Sequence, residues 1–110
     1  MPHRVLLTTD AADDLEDLFD YISTQDSPSR AAHVLDEIQC VFDSLVEFPN
    51  PGVYPRELSA LGIHEYREVF FKPHRILYRI IDDTVYVMLI VGGRRDMQSL
   101  LARRLLGKRF

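Results

Sequence analysis

The sequence predicts an α+β domain: a strand, a two-helix hairpin, a three-stranded antiparallel β-meander that completes a curved sheet, and a short C-terminal helix. Two observations carry this prediction. In the first half, apolar residues recur at steps of three and four, the period of an amphipathic helix. In the second half, three runs rich in β-branched and aromatic residues are separated by turn signals. With 110 residues, 46% apolar and 27% charged, the composition is that of one soluble domain spanning residues 1 to 110.

The first half supplies one strand and two helices. The segment His3 to Thr8 is a short apolar strand that needs a sheet to join. The helix that follows begins with Thr8 or Thr9 as its N-cap and carries acids in its first turns, where the helix dipole favours them. Ser27 and Pro28 provide the N-cap and first-turn proline of the second helix. Because the link between the helices is short, we expect an antiparallel hairpin.

The second half begins with a break and continues as strands. Two prolines and a glycine between Pro49 and Gly52 end the second helix. A connecting segment around 56–58 follows, with Leu58 and Leu61 expected beneath the sheet. Pro73 and the turn at 82–83 separate three strands that we expect to pair antiparallel. The predicted strands are His64 to Lys72, His74 to Ile81, and Thr84 to Val91.

Side-chain alternation divides the middle strand between two faces. Ile76, Tyr78 and Ile80 share the face that we expect to meet the helices. The other face carries Arg75, Leu77, Arg79 and Ile81. After the last strand, a short terminal helix is expected, with Arg103 and Arg104 on its polar side and with an apolar side that is incompletely packed in the monomer. Its apolar residues are Met97, Leu100, Leu101 and Leu105.

Charge is distributed unevenly along the chain. Residues 1–50 hold eleven acidic and two basic residues, a net charge of −9, whereas residues 51–110 hold six acidic and eleven basic residues, a net charge of +5. The net charge of the whole chain is −4, which does not favour indiscriminate binding to nucleic acid.

Several kinds of site are not indicated. The single cysteine, Cys40, cannot form an internal disulfide, and no second thiol is available for a zinc site, which fits a reducing compartment. Asp10, Asp13, Asp14 and Asp17 have helical spacing, so we expect a solvated helix face there and no metal cluster. A Gly-rich phosphate loop and a His-Glu-x-x-His pair are both missing, so we expect no cofactor and no metal. No apolar run approaches the roughly 20 residues of a membrane span, and no signal peptide opens the sequence, so we expect a cytoplasmic protein.

Three short motifs in the second half occur in a characteristic order. They are Tyr66-Arg67, His74-Arg75-Ile76-Leu77-Tyr78, and Gly93-Arg94-Arg95-Asp96. Together with the stretch from Leu45 to Gly52 and the terminal Ser-Leu-Leu-Ala-Arg-Arg-Leu-Leu at 99–106, they resemble the RelE/ParE superfamily of bacterial toxins from toxin-antitoxin pairs. The resemblance covers nearly the whole chain and implies a RelE/ParE-like fold.

The branch of this superfamily decides whether the protein is an enzyme. RelE-type members are ribosome-dependent mRNA endonucleases, which carry lysines and arginines on the sheet and an acid-base residue, often tyrosine, near the C terminus. Metal-independent RNA cleavage needs a base, an acid, and cations that offset the developing charge. Arg67, Arg75 and Arg95 match the basic positions, but the position where these nucleases tend to keep a lysine reads Glu68 or Val69.

The acid-base position also departs from the nuclease pattern. Where the nucleases keep a tyrosine, this sequence has Leu100 or Leu101. Histidine is the best substitute, since an imidazole titrates most easily near neutrality, and His64 and His74 are the candidates. The competing interpretation treats both as turn or strand-end histidines in contact with water.

The resemblance therefore favours the ParE-like branch, and it implies the toxin component of a type II toxin-antitoxin system. Such a toxin inhibits DNA gyrase and is neutralised by a cognate ParD-like antitoxin of the ribbon-helix-helix type, with which it forms a hetero-oligomer. No catalytic residue, no metal, no membrane association and no direct sequence-specific nucleic-acid binding are then expected. The alternatives are a RelE-like ribosome-dependent mRNA endonuclease and a non-toxic protein-interaction module.

The candidate antitoxin- or target-binding residues are arginines. A guanidinium grips a carboxylate with two hydrogen bonds, so a positive concavity that is unpaired in the monomer suits an acidic antitoxin segment. The alternative is that each arginine forms a structural ion pair with a nearby acid. Arg67, which lies between Glu65 and Glu68, is the clearest case. The predicted binding residues are Arg67, Arg75, Arg79, Arg94 and Arg95.

Overall fold

A four-stranded sheet carries two long helices on one face and shorter segments on the other. The computed structural model describes residues 3–49, 52–71, 74–92, 100, 101 and 104. This arrangement confirms the predicted α+β fold class. The elements are β1 (Arg4–Leu7), α1 (Thr9–Gln25), α2 (Pro28–Glu47), α3 (Arg56–Ser59), β2 (Arg67–Phe71), β3 (His74–Ile81) and β4 (Thr84–Gly92).

The strands lie in the order β1-β4-β3-β2. The pairs β2–β3 and β3–β4 are antiparallel, as their short connections predicted, whereas β1 lies parallel to β4. The first strand thus joins the sheet beside the last one, and β2 forms the opposite edge. Along this outer edge, Val53 makes an isolated bridge to Glu68.

Both long helices begin at the predicted caps. The Thr8 hydroxyl accepts a hydrogen bond from the Ala11 amide at 3.1 Å, and the Ser27 hydroxyl accepts one from the Arg30 amide at 3.0 Å. Each cap satisfies an amide that the helix leaves without a partner. No helix in the described part of the chain is both long enough and apolar enough to span a membrane.

The apolar faces of α1 and α2 pack on the sheet. Ile76 lies in this core, so the prediction that its face of β3 meets the helices is confirmed. Burying these side chains removes apolar surface from water, which is the main stabilising contribution in a domain of this size. The buried members of the core are Ala11, Val34, Ile38, Phe42, Ile76, Val87 and Ile90.

The ladder between β3 and β4 shifts register once. Tyr78 pairs with Val87 and Leu77 pairs with Leu89, so Met88 is an extra residue in β4. An extra residue of this kind is a β-bulge, and it reverses the alternation of faces beyond it. Val87 therefore points to the helices, and Leu89 points to the opposite face.

An apolar cluster covers part of that opposite face. Leu100 and Leu101 are helical, expose only 8% and 2% of their surface, and pack with Leu77, Leu89 and Leu58. The expectation that the terminal helix is incompletely packed in the monomer is wrong for these two residues. The predicted helix positions Met97, Arg103 and Leu105 lie outside the described residues.

The start of β2 differs from the prediction. The strand begins at Arg67 and not at His64, because the chain after α3 bonds back to that helix. The amide of Gly62 donates to the Ser59 carbonyl at 2.9 Å and that of Ile63 to the Leu58 carbonyl at 3.0 Å, and Gly62 has a φ of 77°. Leu58 is buried as expected, but Leu61 lies in this turn and exposes 63% of its surface.

An ion pair fastens α3 to the sheet. Arg75 of β3 donates from Nη1 to Glu57 Oε2 at 3.0 Å and from Nη2 to Glu57 Oε1 at 2.9 Å. Both side chains are largely buried, with exposed fractions of 12% and 18%. The hydrogen bonds from Arg75 hold the pKa of the Glu57 carboxyl below its usual value.

The loop that follows α2 is fixed by Tyr78, whose side chain is fully buried. Its hydroxyl donates to the Pro49 carbonyl at 2.8 Å and accepts from the Gly52 amide at 3.1 Å. A Cβ atom at position 52 would lie 2.5 Å from that hydroxyl and 2.9 Å from the Glu68 carbonyl oxygen. Only glycine therefore fits between the tyrosine and β2.

We expect Gly52→Ala to lower the free energy of unfolding by about 2 kcal/mol, because the added methyl group overpacks a closed site. Urea unfolding measures the change. The matched control is Gly92→Ala, where a Cβ atom would meet nothing within 4 Å, and it should change the free energy by less than about 0.5 kcal/mol. Equal effects of the two substitutions would show that Tyr78 does not set the loop.

We expect the Glu57–Arg75 pair to make stability depend on pH in the acid range. A carboxyl whose pKa is lowered on folding contributes stability that is present above its unfolded pKa and is lost as pH falls through its folded pKa. Urea unfolding between about pH 6 and pH 3 should therefore show a steeper loss for the wild type than for Glu57→Gln. Glu65→Gln, which alters an exposed pair, is the control and should keep the wild-type slope.

Candidate functional site

The predicted arginines do not share one face. Arg75 and Arg79 occupy alternate positions of β3, on the face opposite α1 and α2. Arg67 lies opposite Tyr78 in the β2–β3 ladder. Since residues opposite each other in a sheet share a face, Arg67 points to the helix side. The expectation that the arginines form one positive concavity is therefore wrong for Arg67.

Arg75 is fully engaged within the monomer. Besides Glu57, its guanidinium binds Glu68, with Nε to Oε1 at 2.7 Å and Nη2 to Oε2 at 3.0 Å. The hydrogen bonds to Glu57 raise the pKa of Arg75 further above its usual value. The expectation of an unpaired cation is wrong here, because two carboxylates surround one guanidinium and leave the group with a net negative charge.

Arg79 is accessible. Its Nη2 lies 3.4 Å from Glu65 Oε2, and 38% of its side chain is exposed, so this ion pair contributes little stability. The guanidinium also lies over the ring of Tyr66, 5.8 Å from its centre. A partner could therefore engage Arg79 at small cost. Arg94 and Arg95 lie outside the described residues.

Arg67 belongs to a group that we call the Tyr54 cluster: Tyr54, His64 and Arg67, of which the first two are exposed and Arg67 is half-buried. The Arg67 guanidinium stacks over the Tyr54 ring at 4.9 Å and donates to the Gly52 carbonyl at 3.0 Å. His64 packs edge-on against the same ring at 4.9 Å and shares a hydrogen bond of 3.2 Å with Ser59. No carboxylate among the described residues pairs with Arg67, so its charge is available.

Sequence reasoning missed Tyr54. The bridge between Val53 and Glu68 brings this residue beside β2, and an isolated bridge leaves no periodic signal. Val53 and Phe70 lie along the same edge and expose 55% and 56% of their surface. Tyrosine and arginine beside exposed apolar side chains are typical of protein interfaces.

His74 is buried on the helix side of the sheet. It exposes 8% of its surface, shares a hydrogen bond of 3.2 Å between Nδ1 and the Phe71 carbonyl, and stacks on the Phe71 ring at 5.9 Å. Burial lowers the pKa of His74, which favours the neutral imidazole. Its position at the start of a strand is as predicted, but the expected contact with water is wrong. Because the side chains of His74 and Arg75 point to opposite faces of the sheet, they cannot act on one phosphate.

The acidic face of α1 also differs from expectation. Asp14 Oδ1 accepts from Arg104 Nη2 at 3.0 Å, and only 16% of the Asp14 side chain is exposed. The prediction of a solvated face is therefore wrong for Asp14. Among the described residues, no group of three histidine, cysteine or carboxylate side chains could hold a metal ion.

Comparison with known proteins places these features in a family. The family model described as the ParE toxin of the type II toxin-antitoxin system, parDE, matches residues 5–97. Toxin ParE3 of Caulobacter vibrioides is 29% identical over 103 residues, which cover 92% of this chain and 97% of that protein.

Two solved structures have the same fold. A chain of the chromosomal ParDE system of P. aeruginosa matches with a TM-score of 0.69 and 19% identity, over 82% of this chain and 95% of that one. A chain of the toxin-antitoxin complex RelBE2 from Mycobacterium tuberculosis matches with a TM-score of 0.57 and 27% identity, over 84% and 92% of the two chains. The protein thus belongs to the ParE toxin family of type II toxin-antitoxin systems, within the RelE/ParE superfamily that its motifs indicated.

Proposed function

We propose that this protein acts as a toxin by binding a protein target, DNA gyrase by analogy with the ParE-like branch, and that it is not an enzyme. We further propose that a cognate ParD-like antitoxin neutralises it by direct binding in the cytoplasm. The family assignment supports both proposals.

The observation that carries the proposal is the engagement of Arg75. RNA cleavage without a metal needs cations free to meet the charge that develops on phosphorus. All three guanidinium nitrogens of Arg75 already donate to Glu57 or Glu68. A phosphate approaching this site would have to displace two largely buried carboxylates and would be repelled by them.

Neither the C-terminal leucines nor His74 supplies an acid-base group beside Arg75. Leu100 and Leu101, at the positions where RelE-like nucleases tend to keep a tyrosine, are packed in the apolar cluster beside Leu77. His74 faces the helices. A general base must reach the proton that it removes, and neither feature provides one beside Arg75.

A protein target would instead meet the accessible side chains. The Tyr54 cluster offers an uncompensated guanidinium on an aromatic ring, and Arg79 lies beside Tyr66 on the opposite face. Buried aromatic residues and arginines supply much of the binding energy of protein interfaces. We propose Arg67 and Arg79 as partner-binding residues, and Arg94 and Arg95 remain proposed members of the same set.

The antitoxin proposal rests on relatives. One matched chain belongs to the chromosomal ParDE toxin-antitoxin system and the other to the toxin-antitoxin complex RelBE2. By analogy, the antitoxin here would be of the ribbon-helix-helix type, encoded beside the toxin gene and bound in a hetero-oligomer.

The nuclease alternative has one observation in its favour. The Tyr54 cluster brings a phenol, an imidazole and a guanidinium together on the surface, which are the groups that metal-independent RNA cleavage would use. His64 is then the base or acid, a role that the sequence allowed but that His74 cannot fill from its buried position.

We expect induced expression to arrest growth and to make cells filamentous, and we expect the purified protein to inhibit gyrase supercoiling. Arg67→Ala should weaken the inhibition at least about tenfold, because it removes an interface arginine. Arg4→Ala is the matched control: Arg4 is exposed on β1, at the other edge of the sheet, and its loss should leave inhibition unchanged.

The same experiment separates the nuclease alternative. Cleavage of transcripts on ribosomes that is lost in His64→Ala, together with intact supercoiling, would overturn the proposed function. A protein that arrests nothing but still binds its antitoxin would point to the non-toxic interaction module.

A further inference from the structure

The arginines that the structure describes as half-buried are Arg67, Arg75, Arg79 and Arg104. Arg75, Arg79 and Arg104 each pair with a carboxylate of the same molecule. Arg67 pairs with no carboxylate among the described residues, although its side chain is also half-buried. A partly desolvated charge without a counter-ion costs free energy. Arg67 therefore indicates a site for an anion that comes from outside the molecule.

The Arg67 guanidinium has donors free for such an anion. A guanidinium carries five N–H groups in a fixed fork. One donates from Nη1 to the Gly52 carbonyl at 3.0 Å and another lies on Nη2, 3.5 Å from the Tyr54 hydroxyl, so three of the five have no partner among the described residues. Two parallel N–H groups of a guanidinium can bind both oxygens of one carboxylate.

The fold positions the partners of Arg67. Val53 and Glu68 exchange backbone hydrogen bonds of 3.0 and 2.7 Å, which places the next residue, Tyr54, opposite Arg67. His64 packs edge-on against the Tyr54 ring, with 4.9 Å between the ring centres. Because these contacts fix the guanidinium before a partner arrives, little side-chain entropy is lost on binding.

The surroundings of Arg67 favour a protein as the source of the anion. Val53 and Phe70 lie along the same edge and expose 55% and 56% of their surface, so a partner seated there would bury apolar surface around the ion pair. The net charge of −4 instead disfavours a nucleic acid, whose binding depends on neutralising several phosphates. The anions that an unmodified protein surface offers at neutral pH are the carboxylates of aspartate and glutamate.

We infer that the Tyr54 cluster is a carboxylate-binding site, in which Arg67 receives the side chain of an aspartate or glutamate of the protein target. That carboxylate supplies the counter-ion that the monomer lacks. The Tyr54 ring supports the guanidinium, and the Gly52 carbonyl fixes its orientation. This inference rests on the proposed function, because it takes gyrase as the source of the carboxylate.

The first test measures the affinity of full-length toxin variants for purified gyrase. Arg67→Lys keeps the charge but loses the planar fork, so it should bind about tenfold more weakly than the wild type. Arg67→Gln keeps neither and should bind about a hundredfold more weakly, because it leaves the target carboxylate unpaired in the interface. Equal affinities of the two variants would show that no anion meets position 67 and would overturn the inference.

The second test identifies the carboxylate. A carbodiimide joins an amine directly to a carboxylate, with no spacer between them. In the complex with gyrase, the Arg67→Lys toxin should therefore be linked through position 67 to an aspartate or glutamate of gyrase, which peptide mass spectrometry identifies. Arg4→Lys, which places the amine on β1 at the other edge of the sheet, is the matched control and should not be linked through position 4.

A third measurement uses the wild type and so does not depend on the folding of a variant. Phenylglyoxal, which modifies arginines, should react with Arg67 in the free toxin, and bound gyrase should protect it. Gyrase inhibition by a toxin whose Arg67 stays reactive in the complex, or inhibition without a link through position 67, would overturn this inference and leave the proposed function standing.

The remaining outcomes separate the other partners. Protection of Arg67 by a 2′-O-methyl oligoribonucleotide and not by gyrase would overturn the inference in favour of the nuclease alternative. A wild type that does not bind gyrase would overturn the proposed function and this inference together.

Discussion

The extra residue at Met88 is the constraint on which both faces of the sheet depend. Before it, β4 directs Val85 and Val87 to the helices, and after it, Leu89 and Val91 turn to the opposite face. Without the shift, Ile90 would leave the helix-side core. The opposite face would lose Leu89 and Val91, which share an apolar cluster with Leu100 and Leu101. Beyond Val87, where the pairing with β1 ends, Arg104 donates to the Met88 carbonyl and Asp14 accepts from the Ile90 amide.

The largely buried ion pairs of this fold join segments that are far apart in the chain. Arg75 ties α3 to two strands, and Arg104 ties the C-terminal segment to α1 across 90 positions. Removing one carboxylate partner of a largely buried guanidinium would strongly destabilise the folded protein. Arg75 and Arg104 therefore have structural roles. Arg67 instead contacts the Tyr54 ring and the Gly52 carbonyl, and no carboxylate among the described residues pairs with it.

The elements were predictable from the sequence where local signals are strong. Thr8, Ser27 and Pro28 fix the helix starts, and the limits of β3 follow from its flanking turns. The faces of β4 were not predictable, because its run Val-Tyr-Val-Met-Leu-Ile-Val is apolar at every position but one and so carries no alternation. The partners of Arg75 and Asp14 were missed for another reason: they are contacts between distant segments, on which neither spacing nor composition reports.

Two surface features lie on opposite sides of the sheet, the Tyr54 cluster beside β2 and a groove between α1 and β4. Two strand spacings of about 4.8 Å separate β4 from β2, so a contact made beside one of these strands does not reach the other. Leu101 shares an apolar cluster with Leu77 and Leu89, and Leu77 lies in the β3–β2 ladder opposite Glu68, the residue bridged to Val53 beside Tyr54. The apolar outer face thus provides a packed route between the two edges.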